Sequence, residues 1–169
     1  LLAKAGRVDG VETLLTHLLA QPTPIPFLAV EAMIEGIRDG SINFIATDHA
    51  PHSQVEKLCT FGEAAFGISV LETALGSLMS LVHAKCISMP ILVERLTSGP
   101  AQFLNRNTGT LKVNAPADVT IIDPDAEWLV DTSNFASKGK NTPFSGRRLR
   151  GKVVTTIVDG VVVYSDYET

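Results

Sequence analysis

At 169 residues the chain is long enough for one ordinary domain with a sizeable core, and 45% of it is hydrophobic. A formal net charge of −4 without a basic stripe argues against nucleic acid as a partner. No apolar run is long enough to span a membrane, and the first residues lack the basic start, apolar centre and cleavage site of a secretory signal. The two cysteines, Cys59 and Cys86, suit neither a disulfide framework nor a metal knuckle, so the expected setting is a reducing cytoplasm.

Residues 1–29 read as a segment apart. Val11 to Leu19 has helical apolar spacing, and then Pro22, Pro24 and Pro26 impose an extended run. Val30 to Ile37 is an amphipathic helix stopped at Asp39-Gly40. The apolar run Ile42–Ile45 predicts a buried strand over 42–47. Residues 53–66 form a loop long enough to be functional. Ile68 to Ala84 is apolar nearly all round, which predicts a buried helix with Met79 as core filler. Ile91–Leu96 and Ala101–Leu104 read as two helices broken at Gly99-Pro100. Beyond Gly109 the period becomes strand-like. Val119–Asp123 is expected to be one strand closed by Pro124, and Glu127–Val130 another. Val153–Val158 and Val161–Tyr164 flank Asp159-Gly160, a two-residue hairpin signal. Arg147–Arg150 reads as a solvated edge. The change of period divides the chain into 30–108 and 109–169.

The chemistry concentrates in Ala46-Thr47-Asp48-His49-Ala50-Pro51-His52, directly after the predicted strand. Reacting groups of α/β folds sit at such strand ends. Pro51 stops the strand and stiffens the turn, so Asp48 and His52 project from a fixed loop. An Asp there can ligate a metal, shuttle a proton, or do both. It can equally cap the next turn, with both histidines as surface residues. His17 lies in a leucine-rich helical stretch and His83 near a helix end, where structural roles are expected.

The string closely resembles the dihydroorotase signature Ala-Thr-Asp-x-Ala-Pro-His followed four residues later by Lys, here Lys57. The resemblance continues through Phe61–Ile68, Leu71-Glu72-Thr73-Ala74-Leu75, Gly109–Val113 with Ala115–Val119, and Asn141–Gly146 with Gly151–Val153. It covers about Val30 to Tyr164 and departs at Ala65, Val70 and Gly99, where the family more often has Pro, Gly and Asn-Pro. It fades upstream of Val30, where residues 1–29 are divergent or out of frame.

The fold implied is α/β: the C-terminal part of a (β/α)8 amidohydrolase barrel over 30–108, then strands of a small β-sandwich domain over 109–169. A whole barrel takes about 250 residues, so the resemblance implies an incomplete piece, inactive alone. The implied activity is a zinc-dependent cyclic amide hydrolysis, interconverting N-carbamoyl-L-aspartate and dihydroorotate in pyrimidine biosynthesis. Asp48 would ligate zinc and carry the proton, His52 would bind the substrate carboxylate, and Phe66 and Gly67 would meet the ring through their backbone. The family's other zinc ligands, a His-x-His, a carboxylated lysine and two further histidines, have no counterpart here and are expected from the missing N-terminal half. The partners implied are this small-molecule substrate, with a second copy of the chain or aspartate carbamoyltransferase as an associate. Two other readings stand beside it: a non-catalytic dihydroorotase-like subunit scaffolding that transferase, and another cyclic amidase such as a hydantoinase or allantoinase.

Overall fold

The computed structural model describes residues 27–58, 60 and 63–167. The expectations for residues 1–26, His17 and Cys59 lie outside the described residues. Helix α1 spans Phe27–Asp39, α2 Gln54–Lys57, α3 Ala74–His83, α4 Met89–Leu96 and α5 Ser98–Phe103. Strands β1 (Val119–Leu129), β2 (Arg148–Val158) and β3 (Val161–Ser165) form one antiparallel sheet in that order, with a 3-10 turn at Thr132–Asn134. Among the described residues no helix is long and apolar enough to cross a membrane.

Helix α1 ends where glycine allows it to end. Gly40 takes φ 86°, and the Ile42 amide donates back to the Gly36 carbonyl at 2.8 Å. Met33 and Ile37 from α1, Ile42 and Ile45, Leu78, Met79 and Leu81 from α3, Ile87, and Leu92 from α4 form the main core. Met79 is 1% exposed, as its place in the apolar stripe predicts. A buried arginine joins these layers. Arg95 donates from Nε and Nη2 to the Ile37 carbonyl at 3.3 and 3.1 Å, capping α1, while its own carbonyl accepts from Ile45 N at 2.9 Å.

The run 42–47 is extended and half-buried, but it enters no ladder among the described residues, contrary to the strand expected there. A barrel strand exists only through its neighbours, and no described strand lies beside this one. Three other boundaries also move. The helix expected from Ile68 begins at Ala74, because 68–70 crosses the Asp48 turn, where the Ile68 carbonyl accepts from Ala50 N, and 71–73 is a turn in which Thr73 N donates to the Val70 carbonyl at 2.9 Å. The break between α4 and α5 falls at Thr97, and Pro100 is accommodated in the first turn of α5, where its missing N–H costs nothing. The two strands expected over 119–130 are one, because β1 absorbs Pro124 in a register irregularity between Asp123 and Glu127.

Sheet and helices pack through glycine. A Cβ on Gly76 of α3 would lie 3.1 Å from Leu149, and one on Gly151 of β2 would lie 2.5 Å from Met79. A second small core, Val130, Phe135 and Phe144 with Trp128 and Leu149 against it, anchors the segment after β1. The hairpin turn Asp159-Gly160 takes φ 54° and 79°, the left-handed pair that a two-residue turn of this hand requires. Arg148–Arg150 stands beside β1 alone, and Arg150 meets Asp125 at 2.5 Å, so this stretch is a solvated margin as its charge suggests.

Candidate active site

Asp48 is exposed and sits at φ 44°, left-handed space that a non-glycine residue seldom occupies. Asp tolerates it better than most, but conformations of this kind cost of order 1–3 kcal/mol and persist where the surroundings impose them. The surroundings here are specific. Upstream, Ile45 is tied to Arg95. Downstream, Ala50 N donates to the Ile68 carbonyl at 3.1 Å. Between them the His49 ring accepts at Nδ1 from two backbone amides, Val70 N at 3.0 Å and Leu71 N at 3.2 Å. Its Nε2 lies 3.4 Å from the Ser137 hydroxyl.

His52 is half-buried. Its Nδ1 is 3.8 Å from the Glu56 carboxylate, one turn of α2 away. That helix interrupts the loop expected over 53–66, and a capping box explains it. Ser53 Oγ accepts from Glu56 N, and the Glu56 carboxylate accepts from Ser53 N at 2.8 Å. The Ser53 hydroxyl and then its backbone amide hold the Glu56 carboxyl below the usual carboxylate range, and a charged His52 adds to this.

The segment Ala65–Gly67 folds over this turn. Gly67 has φ 123°, and a Cβ there would lie 2.7 Å from both the Cβ and the carbonyl oxygen of Ala50 and 3.2 Å from His52 Cδ2. No larger residue could bring the main chain so close to His52. The loop is held by an ammonium cradle: Lys57 Nζ donates to the Ala65 carbonyl and, at 2.7 Å, to the Gly67 carbonyl. Asn141 Nδ2 donates to the same Gly67 oxygen at 3.3 Å, and its own carbonyl accepts from Ser69 N at 2.7 Å. Phe66, by contrast, is 92% exposed and presents its ring to solvent.

A third layer comes from residues 135–141. Gly139 presses on Pro51, where a Cβ would approach to 2.5 Å, and its carbonyl accepts from Ser69 Oγ at 2.5 Å. Ser137 N donates to Glu72 Oε1 at 2.8 Å. Of the four residues singled out from sequence, His52 and Gly67 are therefore brought into contact distance. Asp48 stands at the turn leading to them, and Phe66 points away. His49, Glu72, Ser137 and Asn141 were not singled out as site residues. Their signal is faint, because a polar side chain whose partners lie 20 or more positions away leaves no local spacing to read.

Among the described residues no group of three or more His, Cys, Asp or Glu is placed to hold a metal ion. A catalytic zinc takes three protein ligands. Asp48 is one candidate, so the described residues alone do not fit a complete zinc centre.

Comparison with known proteins places these features in context. Residues 28–163 match the amidohydrolase family. The dihydroorotase of Geotalea daltonii is 52% identical over 135 residues, 80% of this chain and 32% of that protein. The dihydroorotase of Syntrophotalea carbinolica is 44% identical over 156 residues, 92% of this chain and 37% of that protein. Among solved structures, the L-hydantoinase (dihydropyrimidinase) of Arthrobacter aurescens superposes with a TM-score of 0.76 at 31% identity, over 85% of this chain and 33% of that one. The D-hydantoinase of a Thermus species shares the fold, with a TM-score of 0.75 at 20% identity. The chain thus spans about a third of the length of the relatives it matches.

Proposed function

The chain belongs to the amidohydrolase family, and on that premise we propose that it forms the C-terminal third of a dihydroorotase, a cyclic amidase that opens and closes the ring of dihydroorotate. The observation that carries this reading is the closure of Ala65–Gly67 over the turn bearing Asp48 and His52. The loop residue Gly67, its carbonyl held by Lys57 and Asn141, then packs against Ala50 and His52 in the turn that also carries Asp48.

In this reading Asp48 moves a proton between the attacking water and the ring nitrogen, since an exposed carboxylate within hydrogen-bond reach is a competent base. His52 binds the substrate carboxylate. Backbone groups of Phe66 and Gly67 meet the flat ring, which the missing side chain of Gly67 allows to approach. Zinc is the cofactor we propose for the whole enzyme. Asp48 is the ligand the described residues would contribute, and we assign the others to the remaining strands of the barrel, together with the ladder partners of 42–47. We assign residues 30–108 to the end of that barrel and 109–169 to a β-sandwich domain completed by further strands. Pairing with a second copy or with aspartate carbamoyltransferase, and a cytoplasmic setting, complete the proposal.

The likeness to hydantoinase structures favours a second reading, ring opening of a hydantoin or dihydropyrimidine. The two differ in the substrate carboxylate that His52 would bind, which dihydroorotate has and hydantoin lacks. Turnover of dihydroorotate, hydantoin and dihydrouracil by the full-length enzyme separates them. The dihydroorotase reading expects kcat/KM highest for dihydroorotate, and a preference for either uncharged ring would overturn it.

A further inference from the structure

His49 is not accounted for by the roles above, yet it is the most completely engaged side chain of the turn. Its ring is half-buried, and both nitrogens face partners. Nδ1 receives two backbone N–H groups, from Val70 and Leu71, so it carries no proton and presents its lone pair. The proton of the neutral ring then sits on Nε2 and points at the Ser137 hydroxyl, 3.4 Å away. Ser137 is fixed in turn, because its amide donates to Glu72 Oε1 at 2.8 Å. The other oxygen of that carboxylate, Oε2, is buried and has no hydrogen-bond partner among the described residues. A buried oxygen of this kind calls for a partner or a role. Here it holds the serine that sets the orientation of the histidine.

The residue immediately before this anchored ring is Asp48, in left-handed space at φ 44°. An adjacent residue whose side chain is pinned to the segment entering α3, and to a loop 88 positions away, restricts the peptide plane that follows Asp48. We propose that His49, backed by Ser137 and Glu72, is a positioning residue. It holds Asp48 in its left-handed conformation and so aims the carboxylate at the reacting atoms. The proposal rests on Asp48 being the base of the reaction described above. It assigns His49 no contact with substrate and no proton transfer of its own.

The side chains of Asn and Leu separate this role from simple filling. The Oδ1 of Asn stands where Nδ1 of His stands and can accept the same two amides. Leu has comparable bulk and accepts nothing. In the full-length enzyme His49→Leu is expected to lower kcat at least about tenfold, because small misplacement of a catalytic group costs up to about a hundredfold. KM should stay within about twofold, and His49→Asn should restore most of the lost kcat. Nitrogen-15 spectra of the histidine-labelled wild-type protein should show His49 as the Nε2–H tautomer. The proposal is overturned if His49→Leu keeps its kcat, if His49→Asn falls as far as His49→Leu, or if the wild-type ring carries its proton on Nδ1. If the wild-type enzyme does not turn over dihydroorotate at all, it is the functional reading that fails, and the tautomer still decides the placement of the ring. Should His49→Leu not fold, the asparagine variant and the tautomer carry the test.

Discussion

The imidazole of His52 has the Glu56 carboxylate on one side and the bare α-carbon of Gly67 on the other. That setting suits a ground-state contact with a substrate anion. The interaction would persist unchanged into the transition state, so its loss should appear in KM. His52→Ala is expected to raise KM about tenfold or more, the worth of one charge-assisted hydrogen bond at about 1.5–3 kcal/mol, with kcat little changed. Steady-state kinetics check this, and a fall in kcat at constant KM would contradict it. Asp48 and His52 were singled out from the sequence because a short string carries them together. The left-handed backbone of Asp48 was not, since Asp in a turn adopts several conformations and only the tertiary ties to Ile68, Val70 and Leu71 select this one. Phe66 shows the reverse. Its neighbour Gly67 packs close to His52, while the phenyl ring faces solvent.

At the scale of elements, local chemistry predicts what local chemistry decides. The Asp159-Gly160 hairpin and the Gly40 stop stand where their residues put them, because positive φ at those points is a property of two or three residues. The 42–47 strand and the start of α3 were not legible, since each is decided by what lies beside it. Two predictions belong here. The Glu56 carboxyl is depressed by Ser53, so the stabilisation it lends the turn is complete above the ordinary glutamate range. It is lost as pH falls through the lowered folded value. A carboxyl-resolved NMR titration should place the Glu56 midpoint below that of a peptide glutamate, and Ser53→Ala should raise it. An unmoved midpoint in that variant would contradict the capping box. Between helix and sheet, Gly151→Ala must fit a methyl 2.5 Å from Met79 at φ 102°. It is expected to destabilise by at least about 1 kcal/mol, as strained left-handed positions do. Denaturant unfolding of the full-length enzyme measures it, and a neutral result would mean that α3 and β2 can separate freely.

For the molecule as a whole, the described residues leave a run of apolar side chains exposed. Val161, Val162 and Val163 on β3 are 57–63% exposed, and Leu111 and Val113 exceed 80%. Apolar edges of this kind drive association. The isolated chain is expected to self-associate and to lack a cooperative melt, which light scattering and calorimetry would report. A monodisperse monomer with a sharp transition would contradict it. If, as proposed, Asp48 is the base of a dihydroorotase whose site is completed by residues outside this chain, Asp48→Asn tests it most directly. The substitution keeps size and polarity but removes the base, so the full-length enzyme should lose at least about a hundredfold in kcat for dihydroorotate, the lower end for general acid–base catalysis, with the melting temperature unchanged. Turnover of dihydroorotate by Asp48→Asn at the wild-type rate would contradict the account.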